Sequence, residues 1–395
     1  MSKKNFTFKD TSMKDLINYF NSIRVKLGKS NLPLHEPDID YKDQKEVIKG
    51  LKSGYVSSVG NDIIRFEKKL KYITKSKFII PTINGTSALH VALKMVGVKP
   101  EDEILVPSLS FVASVNAVLY NNATPHFVDS EIDHFGIDPK KLDDYLKKNT
   151  FIKKNFCVNK KTKKIVRALV LVHVFGHPAK ISEILFICKK HKIKIVEDAA
   201  EALGSLYKGK HVGTYGDIGI LSFNGNKIVT TGVGGAILTN SKKLAENSKH
   251  LTTTAKIKHK WDFVHDKLGY NYRIANLNAS LGISQLKKLP RYIDHKRKLF
   301  YRLHKLFKNS NDFIILREPE NCRSNFWLQT LVLKKSSKLK KNDILKELHK
   351  KKILARPVWR PLHKMKYLKK YPKMNLDNAK SLENRIINLP SSYYI

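Results

Sequence analysis

Residues 222–238, SFNGNKIVTTGVGGAIL, place one lysine, Lys227, between two apolar runs. The runs cover 218–223 and 236–238, and both are typical of buried strands. A lysine that is desolvated in such a place binds its proton weakly and can act as a nucleophile that forms a Schiff base. The alternative is a surface lysine, which is the commoner fate of this residue type. The flanking strand and the glycine-rich turn favour the buried position.

Outward from this stretch, short strand-like runs alternate with amphipathic helices from residue 77 onward. Because strands separated by helices form mostly parallel sheets with both faces covered, the sequence predicts an α/β fold. Near residue 285 the pattern changes to lysine-rich helices and a few strands. We therefore expect an N-terminal helical extension (1–30), a large domain (31–285) and a smaller C-terminal α+β domain (286–395). The runs that predict strands are KFIIPTI, EILV, PHFVD, IVRALVLVH, KIKIVED, DIGILSF and GAILTN.

Composition narrows the class of protein. The 395 residues include three cysteines without paired or metal-type spacing, which indicates a reducing cytoplasm and no metal site. The N-terminus has no apolar signal core, and the most apolar stretch, 104–120, is too polar and too short to span a membrane.

The net charge of +41 can indicate nucleic-acid binding. However, the lysines are spread along the whole chain, and no nucleic-acid-binding motif is recognisable. We therefore expect a solvated basic surface that attracts an anionic small substrate, with no specific nucleic acid as partner.

Two further stretches fall where predicted strands end, the place where ligands bind in α/β folds. In NGTSALH (84–90), the backbone and hydroxyl groups of Gly85, Thr86 and Ser87 could bind a phosphate at a helix start, although simple helix capping is the alternative. In IVEDAAEALGS (195–205), Asp198 could hold a protonated ring nitrogen, or it could be an acid at a helix N-terminus.

Taken together and in order, six stretches resemble the DegT/DnrJ/EryC1/StrS family of sugar aminotransferases, from about residue 32 to the end. The resemblance is nearest to the branch that aminates UDP-4-keto-6-deoxy sugars on the way to legionaminic and related nonulosonic acids. It implies the fold-type I fold of enzymes that use pyridoxal 5'-phosphate. The stretches are GYVSSVG (54–60), INGTSALH (83–90), VHVFGHP (172–178), EDAAEALGS (197–205), SFNGNKIVTTG (222–232) and GYNYR (269–273).

The resemblance also implies roles for individual residues. Lys227 would be the catalytic lysine bonded to the cofactor, and Asp198 would pair with its ring nitrogen. Glu201 would lie near the ring hydroxyl, at a position that is often His or Gln in the family. Asn271 would reach the phosphate from a second subunit, so the active unit would be a homodimer. The phosphate would be bound by Gly85, Thr86, Ser87 and Ser222, the ring would stack on Phe111, and the sugar would lie near His173, Trp359 and His363.

The implied reaction moves an amino group from L-glutamate to the C4 ketone of UDP-2-acetamido-2,6-dideoxy-hexos-4-ulose, in nonulosonic acid or surface polysaccharide biosynthesis. A different keto sugar, such as GDP-4-keto-6-deoxymannose or a 3-keto isomer, stays open. Two other functions also stay open. One is a nucleic-acid-binding protein with the fold of an enzyme that has lost its activity, and the other is a regulatory module that binds the cofactor without catalysing a reaction. The sequence does not determine the stereochemistry at C4, the pathway, or the roles of 1–30 and the lysine-rich insert 147–164.

Overall fold

The computed structural model describes residues 13–395. Its helices are α1 (Met13–Lys26), α2 (Tyr41–Lys52), α3 (Asn61–Thr74), α4 (Gly85–Met95), α5 (Val112–Tyr120), α6 (Pro139–Asn149), α7 (Ile181–Lys190), α8 (Lys242–Thr252), α9 (Asn276–Phe307), α10 (Lys341–Lys350) and α11 (Asp377–Glu383). Short 3-10 turns cover Val174–Gly176, Leu362–Lys364 and Lys366–Leu368.

The strands are β1 (Phe78–Thr82), β2 (Glu103–Pro107), β3 (Thr124–Val128), β4 (Thr150–Lys153), β5 (Phe156–Asn159), β6 (Val166–Val172), β7 (Lys194–Asp198), β8 (Leu206–Tyr207), β9 (Lys210–His211), β10 (Ile218–Ser222), β11 (Gly235–Thr239), β12 (Phe313–Ile315), β13 (Cys322–Arg323), β14 (Gln329–Leu333), β15 (Arg356–Pro357) and β16 (Ile386–Leu389). The seven runs predicted as strands in the large domain are all strands here, which confirms that part of the α/β prediction.

A seven-stranded sheet forms the centre of the fold, in the order β1-β11-β10-β7-β6-β2-β3. The pairs from β10 to β3 are all parallel, and β11 runs antiparallel to both of its neighbours. Parallel strands end at one edge, so the residues that close β7 and β10 lie side by side there. The predicted, mostly parallel sheet is confirmed, and the stretch around Lys227 links β10 to the one reversed strand of this sheet.

Helices bury both faces of this sheet. Helix α4 is buried from Ser87 to Leu93, with Asn84 as the N-cap residue whose side chain accepts a hydrogen bond from the Ser87 N–H. Strands β2 and β11 are buried along their whole length, as expected for strands that are covered on two sides. No helix within residues 13–395 is long and apolar enough to cross a membrane.

A second apolar cluster forms around an antiparallel sheet of order β12-β14-β16-β15. Met13, Leu16 and Phe20 of α1 belong to this cluster, so the N-terminal helix packs against C-terminal elements. The predicted boundary at 285/286 falls inside the continuous helix α9. The lysine-rich insert contains the β4–β5 hairpin, and residues 1–12 of the predicted extension lie outside the described residues. The three-part division itself stays a prediction.

We expect Phe66→Ala to lower the free energy of unfolding by about 3–5 kcal/mol, measured by urea denaturation. Phe66 is fully buried, its ring lies 5.2 Å from that of Phe223, and it packs on the backbone of Gly282. The matched control is Phe186→Ala, because that side chain is 69% exposed and should change stability by about 0.5 kcal/mol or less. Equal effects of the two substitutions would contradict this assignment of the core.

Candidate active site

The loop between β10 and β11 fixes the position of Lys227. The Phe223 N–H donates to the Gly234 oxygen (2.8 Å), and the Thr231 N–H donates to the Phe223 oxygen (3.0 Å). Within the loop, the Lys227 N–H donates to the Asn224 oxygen (2.9 Å). The backbone closes on itself, so the lysine side chain leaves from a tightly held turn and not from a free surface loop.

The Lys227 side chain is only 13% exposed. Its Nζ lies 3.4 Å from Oε1 of Glu201 and 4.0 Å from the centre of the Trp327 ring. The Trp327 indole N–H donates to the Asn226 oxygen (2.8 Å), which ties the ring to the lysine loop. The prediction of a mostly buried lysine after β10 is confirmed.

Asp198 ends β7 and is buried in the cleft. Its Oδ2 accepts a hydrogen bond from the Ser114 hydroxyl (3.0 Å), and its Oδ1 accepts one from the Ala200 N–H (3.2 Å). Burial raises the pKa of Asp198, while these two hydrogen bonds and the charge of Lys227 oppose the shift. Neighbouring Glu197 points to the other side of the strand, where it accepts hydrogen bonds from the N–H groups of Gly213, Tyr215 and Gly216.

Glu201 is the second buried carboxylate of the cleft. Its Oε2 accepts a hydrogen bond from the Phe175 N–H (2.8 Å), and its Oε1 faces Lys227. Phe175 has a φ of 54°, in the left-handed region, and its ring centre lies 4.9 Å from that of Trp359. Burial raises the pKa of Glu201, and the charge of Lys227 opposes that shift.

The first turn of α4 forms one end of the cleft. Gly85 and Thr86 line the cleft, whereas the Ser87 N–H is already bonded to Asn84. A Cβ atom at Gly85 would lie 2.9 Å from Cβ of Ser222, so only a glycine allows β10 and α4 to approach this closely. The helix cap is therefore made by Asn84 and Ser87, while Gly85 and Thr86 face the cleft, where their predicted phosphate-binding role stays a prediction.

The cleft has a volume of about 320 Å³ and brings together most of the predicted residues. Those that line it are Gly85, Thr86, Phe111, Asp198, Glu201, Ser222, Lys227 and Trp359. Ser87, His173, His363 and Asn271 are outside its lining.

The two predicted histidines are engaged elsewhere. Nδ1 of His173 accepts a hydrogen bond from the Ala179 N–H (3.2 Å), so its Nε2 carries the proton and donates to Glu197 (3.1 Å). Nδ1 of His363 lies 2.6 Å from the hydroxyl of Ser108. Both side chains are buried, and their expected roles near a sugar stay predictions.

Asn271 lies on an exposed loop between two stacked tyrosines. The rings of Tyr270 and Tyr272 are 5.0 Å apart and pack against His90. The guanidinium group of Arg273 donates to Oδ1 of Asn271 (3.1 Å). Because side chains alternate in an extended segment, the half-buried tyrosines leave Asn271 facing outward, away from the protein.

Sequence reasoning missed several cleft residues. Asn84 carried a usable signal, since Asn before a helix start is a preferred N-cap. Ser114 and Trp327 carried none, because they approach Asp198 and Lys227 from elements far away in the chain. The missed cleft residues are Asn84, Leu89, Ser110, Ala113, Ser114, Val172, Ala200, Ile220, Asn224, Asn226 and Trp327.

Comparisons with known proteins show which family and fold this chain is similar to. A model described as the DegT/DnrJ/EryC1/StrS aminotransferase family matches residues 37–394. GDP-perosamine synthase of Escherichia coli O157:H7 is 34% identical, covering 91% of this chain and 93% of its own. UDP-4-amino-4,6-dideoxy-N-acetyl-beta-L-altrosamine transaminase of Campylobacter jejuni serotype O:23/36 is 30% identical, covering 89% and 90%. The PLP-form of the sugar aminotransferase Spr1654 from Streptococcus pneumoniae has the same fold (TM-score 0.81, 24% identity, covering 91% and 93%).

We expect Lys227→Met to lower the free energy of unfolding of the ligand-free protein by about 2 kcal/mol at pH 8, because the buried Glu201 carboxylate loses its cation. The pKa of Glu201 is raised in the folded state, so protonation at lower pH favours the folded form. The loss should therefore shrink as the pH falls toward 5.

Urea denaturation at the two pH values measures this loss. Adding Glu201→Gln to the lysine variant should remove it, and the control Lys242→Met changes a lysine whose side chain is 78% exposed. A loss that is independent of pH, and that the glutamine does not relieve, would contradict the pairing.

Proposed function

Because the chain belongs to the DegT/DnrJ/EryC1/StrS aminotransferase family, we propose that it transfers the amino group of L-glutamate to the C4 ketone of a nucleotide-linked 4-keto-6-deoxy sugar. The family assignment makes it a nucleotide-sugar aminotransferase with pyridoxal phosphate as cofactor. The observation that carries the proposal is the mostly buried amine of Lys227, which faces a cleft with Asp198 and Glu201.

The residues of the cleft fit this cofactor in their chemistry. The first turn of α4 and the hydroxyl group of Ser222 supply donors for a phosphate, and the close approach at Gly85 leaves no room for a side chain there. Asp198 supplies a buried carboxylate for a protonated ring nitrogen, and Phe111 supplies an aromatic face. When bound, pyridoxal phosphate supplies an aldehyde that reacts with amines and a ring that withdraws electrons.

The chain's own residues then hold and move protons. Nζ of Lys227 is the base that takes the proton from the α carbon of the amino acid donor, and in the return half-reaction it delivers a proton to C4 of the sugar. Glu201 holds this amine in place and is itself fixed by the Phe175 N–H. Asp198, held by Ser114, keeps negative charge at the floor of the cleft.

The substrate that we propose is UDP-2-acetamido-2,6-dideoxy-hexos-4-ulose, for nonulosonic acid or surface polysaccharide synthesis. It is supported by the motifs that resemble the legionaminic-acid branch and by the relative named for a UDP-linked 4-amino-4,6-dideoxy sugar. A second candidate is GDP-4-keto-6-deoxymannose, which the similarity to a GDP-perosamine synthase favours. Trp359 stands at the cleft beside Phe111, with ring centres 6.4 Å apart, and is proposed to face the sugar.

We also propose that the active unit is a homodimer that shares its sites. Asn271 faces outward, away from the cleft of its own subunit, as expected of a residue that serves a neighbour. The α2–α3 region also exposes many large apolar side chains, which a second copy would cover. They are Ile39, Tyr41, Ile48, Leu51, Tyr55, Val56, Val59, Ile64 and Tyr72. We also propose a cytoplasmic location, because the three cysteines are unpaired and a reducing compartment keeps thiols in that form.

The purified holoenzyme should be yellow, and borohydride should fix the cofactor to the peptide that contains Lys227. Lys227→Ala should abolish turnover and the visible absorbance, because no other amine within residues 13–395 lines the cleft. Absorbance spectra and peptide mass spectrometry measure both effects. A tag on another lysine would overturn the proposal.

The nucleotide is tested in the same preparation with glutamate and each 4-keto sugar. Consumption of the UDP sugar with a kcat/KM at least about tenfold above that of the GDP sugar supports the first candidate. The reverse ratio establishes the second. Turnover of neither sugar would refute both substrates while leaving the lysine assignment intact.

Co-expression of equal amounts of Lys227→Ala and Asn271→Ala should restore roughly a quarter of wild-type activity, because about half of the dimers are mixed and one of the two sites in each mixed dimer is intact. Each variant alone should be nearly inactive. Activity assays on the separate and mixed preparations measure this. If each variant alone is inactive and the co-expressed preparation is inactive as well, Asn271 of the partner subunit does not complete the site.

A further inference from the structure

A buried asparagine outside the cleft lining, Asn325, connects two segments that meet at Lys227. It is fully buried and lies between β13 and β14, in the part of the chain that follows α9. Its Nδ2 donates to the backbone oxygens of Glu201 (2.9 Å) and Leu203 (3.0 Å). Its Oδ1 accepts a hydrogen bond from the Trp327 N–H (2.8 Å). One side-chain amide therefore joins the Glu201 segment to the backbone of Trp327.

Glu201 and Trp327 both lie against the Lys227 amine. Oε1 of Glu201 is 3.4 Å from Nζ of Lys227, and the centre of the Trp327 ring is 4.0 Å from it. The two residues come from segments that are far apart in the chain, so their relative position depends on contacts between those segments. The hydrogen bonds of Asn325 are a direct connection of that kind.

A third segment of the site packs on the same amide. A Cβ atom at Gly176 would lie 1.9 Å from Oδ1 of Asn325, and Gly176 has a φ of 91°, so the chain needs a glycine there. The preceding residue, Phe175, donates its N–H to Oε2 of Glu201 (2.8 Å). Asn325 therefore packs against the turn that holds the Glu201 carboxylate and also binds the Glu201 backbone.

We propose that Asn325 is a positioning residue that determines where the Lys227 amine lies, because it fixes Glu201 and Trp327 relative to each other. The inference rests on the proposed function only in taking Lys227 as the lysine that carries the cofactor. Asn325 is outside the cleft lining, so it acts through its neighbours and not on the substrate. A displacement of about 1 Å at a reacting group can lower a rate about 100-fold, so loss of this connection should slow turnover.

Asn325→Ala tests this in the holoenzyme, in a single turnover with glutamate followed by cofactor absorbance. We expect the maximal rate to fall at least about tenfold, while the half-saturating glutamate concentration stays within about twofold, because the side chain is outside the cleft lining. The control Asn388→Ala removes another buried amide outside that lining, which accepts a hydrogen bond from the Thr330 hydroxyl (3.0 Å). Its maximal rate should stay within about twofold of the wild type.

A second measurement needs no cofactor. In the ligand-free protein, Asn325→Ala should speed hydrogen exchange at the Trp327 N–H and also at the Phe175 N–H, which is bonded to the Glu201 carboxylate. A loss of structure limited to the neighbourhood of residue 325 would change the first amide and not the second. Asn388→Ala should leave the exchange of the Phe175 amide as slow as in the wild type.

An unchanged rate, or unchanged exchange at Phe175, in a folded Asn325→Ala protein that borohydride still tags at Lys227 would overturn this inference and leave the proposed function standing. A tag on another lysine would overturn the proposed function instead. If Asn325→Ala does not fold, Asn325→Ser replaces it, because a serine hydroxyl is too short to join both segments. If neither folds, the wild type decides: slow exchange at both amides supports the connection, and fast exchange at Phe175 overturns it.

Discussion

The fold places the ammonium group of Lys227 3.4 Å from the carboxylate of Glu201, and the rest of the site is arranged around this contact. Glu201 is held by the Phe175 N–H, which itself depends on a left-handed backbone turn at Phe175. Lys227 is held by the closed loop between β10 and β11. Two separate segments must therefore fold correctly before these two charged groups can meet.

Among the described residues, the cleft is lined by three ionisable side chains, two acids and one lysine. Asp198 and Glu201 are buried acids whose pKa values are raised by burial, and Lys227 is the one lysine or arginine that lines the cleft within residues 13–395. Under the proposed function, the protonated ring nitrogen of the cofactor would bring a positive charge to Asp198, and its phosphate would meet the free N–H groups at the start of α4. Burying acids beyond the available cations costs stability in the free protein, a common feature of functional sites.

The sequence predicted the large sheet well, because its strands are continuous apolar runs and the helices between them are amphipathic. It also predicted eight residues of the cleft: Gly85, Thr86, Asp198 and Lys227 from their places after predicted strands, and Phe111, Glu201, Ser222 and Trp359 only through the family resemblance. The direction of β11 could not be predicted, because GAILT is equally apolar read either way. The contacts of Ser114 with Asp198 and of Trp327 with Lys227 could not be predicted either, because they join residues far apart in the chain. The same holds for the hydrogen bonds of His173 with Glu197 and Ala179.

Helix α9 belongs to both apolar clusters, with Ile283 and Ile293 in the first and Leu299 and Phe307 in the second. One continuous helix therefore connects the two apolar clusters. Pro290 lies inside the part of α9 that packs in the first cluster, between Ile283 and Ile293, and it lacks an N–H, so the helix loses one backbone hydrogen bond there. Any bending of α9 would therefore concentrate at Pro290, in the half of the helix that packs against the large sheet's apolar cluster and not at the junction between the two clusters.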